Sequence, residues 1–189
     1  MTRPDAQDSI PPPLFLEQVA FLDVEASAWP AEGGVAIEVG VALDDAPVQS
    51  WLIRPHAALG PLAWSAKAQA IHGIAAATLA TEGAAAEVVC AALNTLLEGR
   101  AVFSDNPSFD AAWLGPVFRA ARVAPQFSLR PAALAWEAFD CASDLTLLWE
   151  EASRRVPQAH RAGPDAERLC TVWRLAQARW KAAPCRWSP

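Results

Sequence analysis

This sequence predicts a mixed α/β domain, a sheet flanked by helices, and three observations carry that expectation. Apolar strand-like runs come first, over residues 18–25 and 35–43. Helical and strand-like stretches then alternate through the rest of the chain, the order of a mixed sheet covered by helices. The chain has 189 residues, 53% of them hydrophobic, which suffices for one domain with a proper core and disfavours global disorder.

Each element follows from local pattern. Gln18-Val-Ala-Phe-Leu-Asp-Val-Glu25 reads as a central strand with two acids near its end. Gly33-Gly34 marks a turn, and Val35, Ile37, Val39, Val41 and Leu43 alternate on one face, as in a half-buried strand. Asp44-Asp45 and Pro47 lead into a third strand near 48–54, so the opening reads as an antiparallel meander. Helices are expected over 64–72 and 84–98. The second carries apolar Val88, Val89, Ala92, Leu93, Leu96 and Leu97, and Gly99 stops it. Ala101-Val-Phe103 reads as a short buried strand. A helix begins at Pro107 with Asn106 as its cap, and Gly115-Pro116 is expected to kink or end it. A strand near 126–130, a helix over 138–155 and a last helix from Pro164 to about Lys181 complete the prediction.

Composition narrows the setting. No apolar run approaches the ~20 residues that span a bilayer, which excludes a membrane partner at this stage. The amino terminus lacks a basic-then-apolar signal pattern, so a cytoplasmic protein is expected. Residues 1–15, with Pro11-Pro12-Pro13, read as a flexible arm, 16–183 as the folded domain and 184–189 as a tail. Cys90, Cys141, Cys170 and Cys185 form no CxxC pair and read as free thiols, with Cys90 and Cys170 in core packing. The net charge of −6 argues against a generic basic nucleic-acid binder. Yet residues 151–189 carry eight Lys and Arg against three acids, a basic third that either attracts phosphates or forms a solvated helix face.

Five residues carry the chemistry. Asp23 and Glu25, two apart on a strand, point to one face roughly 6–7 Å apart along the backbone. Carboxylates there are costly unless something positive compensates them, and a divalent cation would compensate both. Asp110 falls on the apolar stripe of its helix with Trp113, Leu114, Val117 and Phe118, where the helix dipole partly favours it. Pro164 at the first helical position would put Asp165 in the opening turn, with Leu169, Val172 and Trp173 on its face. His160, on the loop before, is suited to accept a proton near neutral pH.

Taken in order, these segments resemble the motifs of the DEDDh 3′–5′ exonuclease family, which includes proofreading exonuclease subunits and ribonuclease T. Phe21-Leu-Asp-Val-Glu25 looks like the first motif, and Phe109-Asp110 with upstream Asn106 like the second. His160-x-Ala162-x-x-Asp165-Ala166 looks like the third, and Ala70-Ile-His-Gly-Ile74 is similar to a His-Gly-Ile segment common between the first two. The resemblance covers roughly residues 18–175. It departs from the family at Ala26, at Gly163-Pro164 and at Ser104-Asp105, where relatives often have a histidine before the asparagine; none of these removes a ligand or the base.

The resemblance implies a ribonuclease H-like fold, a five-stranded mixed sheet with helices on both faces. It implies two Mg²⁺ or Mn²⁺ ions. Asp23, Glu25 and Asp165 would hold one, and Asp23 would bridge to a second supported by Asp110. His160 would be the general base. Two cations ~3.5–4 Å apart can activate the attacking water and stabilise the leaving oxygen. His72, Phe109 and Asn106 are the candidate substrate contacts. A helix-end hydrogen bond is the other role open to His72, core packing the other role for Phe109, and Trp29 is a further stacking candidate. The expected activity is hydrolysis of phosphodiester bonds at the 3′ end of single-stranded DNA or RNA, releasing nucleoside 5′-monophosphates. Two alternatives remain: a short-oligonucleotide ribonuclease, and a non-catalytic nucleic-acid-binding or polymerase-accessory protein on the same fold. A homodimer or a polymerase is the protein partner the resemblance suggests.

Overall fold

Apolar alternation and turn chemistry build five strands: β1 (Val19–Ala26), β2 (Ala36–Leu43), β3 (Gln49–Leu52), β4 (Ala101–Ser104) and β5 (Leu129–Pro131). The helices are α1 (Ala66–His72), α2 (Ala76–Glu82), α3 (Ala86–Leu97), α4 (Pro107–Ala120), α5 (Ala132–Glu137), α6 (Leu145–Arg155) and α7 (Ala162–Ala182). This computed structural model describes residues 18–137, 139 and 144–182. The expected arm and tail, both boundaries of the expected domain, Cys141 and Cys185 lie outside the described residues.

The strands form one mixed sheet in the order β3-β2-β1-β4-β5. β1 pairs antiparallel with β2, and β2 with β3, which is the expected meander. β1 and β4 run parallel, as do β4 and β5. Helices cover both faces. Leu22, Val24, Val39 and Val41 pack with Val89 and Leu93 of α3 and Leu114 and Phe118 of α4. On the opposite face Phe21, Ala42 and Phe103 meet Leu148 of α6 and Leu169 and Trp173 of α7. Each such fully buried large side chain contributes roughly 1.5–3 kcal/mol of transfer free energy. The expected five-stranded, ribonuclease H-like α/β architecture is the one found.

Several local expectations need correction. β2 is buried along its whole length, not half-buried, because α7 seats on its second face. A Cβ on Gly40 would stand 2.1 Å from the Ala162 carbonyl oxygen, so only glycine lets α7 start there. α7 begins at Ala162, two residues before Pro164; the first four helical N–H groups have no intrahelical partner, so a proline at the third position removes nothing. α4 does not end at Gly115-Pro116 but runs to Ala120, held by burial of Leu114, Val117 and Phe118. Val88, expected on the apolar stripe, is exposed on α3. The segment expected as one helix over 138–155 contributes α6, with 138 and 140–143 outside the described residues, and β5 begins later than expected. α2 had no sequence signal. Cys90 and Cys170 are buried free thiols, as expected, and burial pushes them up to about 11 and about 12. Among the described residues no helix is long and apolar enough to cross a membrane.

Candidate metal and nucleotide site

The period of two along β1 puts Phe21, Asp23 and Glu25 on the face that α7 covers. Phe21 packs on Trp173, while Asp23 and Glu25 fall beyond the apolar layer, near the strand's end. Asp165 enters from the first turn of α7. One carboxylate oxygen from each of Asp23, Glu25 and Asp165 lies within 4.8 Å of the other two. Asp165 is itself held in place: its Oδ2 accepts the Arg161 N–H at 3.2 Å, and its own N–H donates to the Arg161 carbonyl at 3.0 Å. Its Oδ1 is buried and accepts no hydrogen bond, although Arg168 Nη1 stands 2.8 Å away. An all-oxygen donor set of three converging carboxylates fits a hard divalent cation such as Mg²⁺ or Mn²⁺.

The electrostatics point the same way. Burial drives the Asp23 carboxyl well above the usual carboxylate range, and the nearby charges of Asp110, Asp105, Glu25 and Asp165 add to it. Glu25 is pushed up to about 7 by burial, then by Asp165 and Glu38, with Arg161 opposing. Asp110 also reaches about 7, through burial and Asp105, against a hydrogen bond from Ser104. The fold therefore gathers carboxylates that its own cations leave under-compensated, the situation a bound metal relieves.

Asp110, in the first turn of α4, is buried beside this group and accepts the Ser104 hydroxyl. Ser104 also accepts the Asn106 N–H at 3.1 Å. Asn106 stands at the cap position of α4, yet its side chain makes no capping bond; its carbonyl takes the N–H groups of Phe109 and Asp110. His160 is exposed on the loop before α7, with left-handed backbone (φ 49°). Its Nδ1 lies 3.4 Å from Gln158 Nε2, and among the described residues it contacts no carboxylate. The structure thus gathers Asp23, Glu25 and Asp165 with Asp110 buried nearby, and leaves His160 exposed on the loop before α7.

Beside the acids opens a cleft of about 160 Å³ lined by Ala26, Ala28, Trp29, Ile71, His72 and Trp113, among others. His72 makes the helix-end hydrogen bond: its Nδ1 accepts the Ile74 N–H at 3.0 Å at the end of α1, and its buried ring lies against the Ala26 backbone. Burial lowers its pKa below the ordinary value. Phe109 is not a core residue: it is exposed, edge-on to Trp29 at 5.4 Å and 5.5 Å from Trp113. Trp113 donates its indole N–H to the Ala28 carbonyl, which fixes this aromatic group to the segment just after the strand that carries Asp23 and Glu25.

Sequence reasoning missed the residues that hold this arrangement. Buried Glu38 accepts Arg161 Nε at 2.9 Å and Nη2 at 2.6 Å, and the Ala162 N–H at 3.0 Å. A lone acid in the apolar run 35–43 was the available signal, since buried acids are nearly always paired. Ser104, Asp105 and Arg168 were also missed; as single polar residues beside motif acids they carry no pattern of their own.

The sequence matches no family model and no curated protein. Solved structures do resemble it. Escherichia coli exonuclease I in complex with a dT13 oligonucleotide superposes with a TM-score of 0.65 at 15% identity, over 87% of this chain and 42% of that one. The zinc-bound form of the E. coli exonuclease I–single-stranded DNA complex gives 0.65 at 15% identity, over 86% of this chain and 40% of that one. A moderately thermophilic exonuclease I from Methylocaldum szegediense gives 0.66 at 15% identity, with coverages of 86% and 40%. This chain spans about two fifths of the length of those proteins. What it shares with them is the fold, a five-stranded mixed sheet flanked by helices; its own cluster of Asp23, Glu25 and Asp165 could bind metal.

Proposed function

We propose that this chain is a metal-dependent 3′–5′ exonuclease of the DEDDh type, acting on single-stranded 3′ ends and releasing nucleoside 5′-monophosphates. The observation that carries the reading is the meeting of Asp23, Glu25 and Asp165, from β1 and α7, with their oxygens within 4.8 Å. The solved relatives in complex with single-stranded oligonucleotides support the substrate class. The proposed catalytic unit runs over residues 16–183.

In this reading Asp23, Glu25 and Asp165 would hold one cation, and Asp23 with Asp110 would support a second. Two divalent ions, when bound, would lower the pKa of the attacking water and offset charge on the leaving 3′ oxygen. His160 would take the proton from that water; its exposed place on the loop before α7 lets the ring turn. The cleft receives the terminal nucleotide, with Trp29 and Phe109 offering aromatic faces to its base and His72 Nε2 a polar atom. Asn106 stands beside Asp110 at the edge of the acids.

The test is digestion of matched 5′-labelled DNA and RNA oligomers, short and long, with Mg²⁺ or Mn²⁺. Stepwise shortening from the 3′ end by the native chain, and none by Asp23→Ala with its fold intact, is expected. Undiminished cleavage by that variant refutes the site. Cleavage of only the shortest RNA would favour the oligonucleotide-ribonuclease alternative, and tight single-strand binding without cleavage the accessory protein.

A further inference from the structure

We propose that Arg168 is a resident counter-cation of the acidic cluster, occupying the Asp165 carboxylate in competition with an incoming metal ion. The inference rests on the metal-site reading above and adds to it a device that sets the site's metal affinity. Arg168 lies one helical turn beyond Asp165 on α7, so the pairing is built into the helix. Its Nη1 stands 2.8 Å from Asp165 Oδ1, and the two side chains are only 11% and 8% exposed.

The quality of this contact is informative. Neither Nη1 nor Oδ1 makes a hydrogen bond, so the pair is held by charge and not by directed geometry. Such a contact can be exchanged for a divalent ion without breaking a directed bond. The guanidinium also has somewhere to go: it lies 6.0 Å from the centroid of the Trp149 ring, a distance at which an aromatic face attracts a cation. Its charge reaches Asp105 as well, beside Asp110. Arg161, the other arginine near the acids, is committed to Glu38 by two hydrogen bonds. Among the described residues, Arg168 is the cation left to the cluster, and the metal must displace it.

Calorimetric titration of the full chain with Mn²⁺, paired with thermal unfolding with and without Mn²⁺, tests this. Removing a like charge beside the ion should make Arg168→Gln bind Mn²⁺ roughly tenfold tighter, while Arg168→Lys stays within about threefold of the native chain. The metal-free Arg168→Gln chain should unfold at a lower temperature and gain more from Mn²⁺ than the native chain does. If Arg168→Gln does not fold without metal, Mn²⁺ must restore it, and failure to do so overturns the proposal. Equal or weaker Mn²⁺ binding by Arg168→Gln overturns the proposal and leaves the metal site standing. No Mn²⁺ binding by either chain overturns both.

Discussion

Glu25 and Glu38 face each other directly across β1 and β2, and the chain neutralises only one of them. Glu38 receives the bidentate guanidinium of Arg161 and the Ala162 N–H. Glu25 receives neither and is left with a pKa near 7. Like charges directly opposed on a sheet are unfavourable, so the member without an ion pair is the one an external cation would stabilise. The neutralised one fixes the start of α7, and with it Asp165.

The Glu38–Arg161 clamp should therefore matter to stability. Glu38 is buried but Arg161 is partly exposed, so its stranded charge can reach water and the cost is discounted accordingly. Glu38→Ala is expected to lose about 1–3 kcal/mol in urea unfolding. An unchanged midpoint would show that the clamp holds nothing.

The raised carboxylates set a pH dependence in the metal-free protein. Glu25 and Asp110 have pKa values of about 7 when folded, above the ordinary values of 4.5 and 3.8. The folded state then binds more protons than the unfolded state between those limits. Stability from these groups is fully present at pH 4 and is lost as pH rises through 7. Thermal midpoints measured from pH 5 to 8 without metal should fall, and saturating Mn²⁺ should flatten the trend. A rising midpoint across that window without metal contradicts the assignment.

Asp23→Asn separates stability from function. It removes a carboxylate whose charge burial and the neighbouring acids Asp110, Asp105, Glu25 and Asp165 all disfavour, so the metal-free variant should melt higher than the native chain. Mn²⁺ binding and cleavage should both disappear. A variant that melts lower without metal would mean that Asp23 is well compensated in the fold.

His160→Ala should reduce the cleavage rate by ~10²–10⁴ with Mn²⁺ affinity unchanged, because the ring touches no carboxylate. Trp29→Ala should instead raise KM for a single strand, as loss of one stacking face costs ~1–3 kcal/mol. Full-speed cleavage by the first variant would move the base elsewhere; an unchanged KM in the second would leave the aromatic group with no substrate role.

Much of the fold was legible because its signals are local. Alternation along β2, the Gly33-Gly34 turn and the apolar stripe of α3 depend on neighbours only a few residues away. The acids were legible because Asp23-x-Glu25 shares a strand face by geometry alone. The role of Glu38 was not, since its partner Arg161 lies 123 positions further on and only the fold brings them together. The choice between the two roles of Phe109 was open for a related reason: a helix pattern shows which residues share a face, not whether another layer covers it. Pro116 and Pro164 misled because proline marks a break only where an N–H or a clash is at stake, and packing overruled the first.

The seat of α7 on Gly40 gives the third motif an anchored side and an untethered side, divided between His160 and Arg161. Downstream, a carbonyl pressed against bare strand backbone and a three-bond carboxylate grip act as a fixed stop. Upstream, residues 157–160 are exposed and outside any strand or helix. Insertions or deletions there would be absorbed before they reach the anchor, so the position of the His160 ring can change without moving Asp165, five residues later.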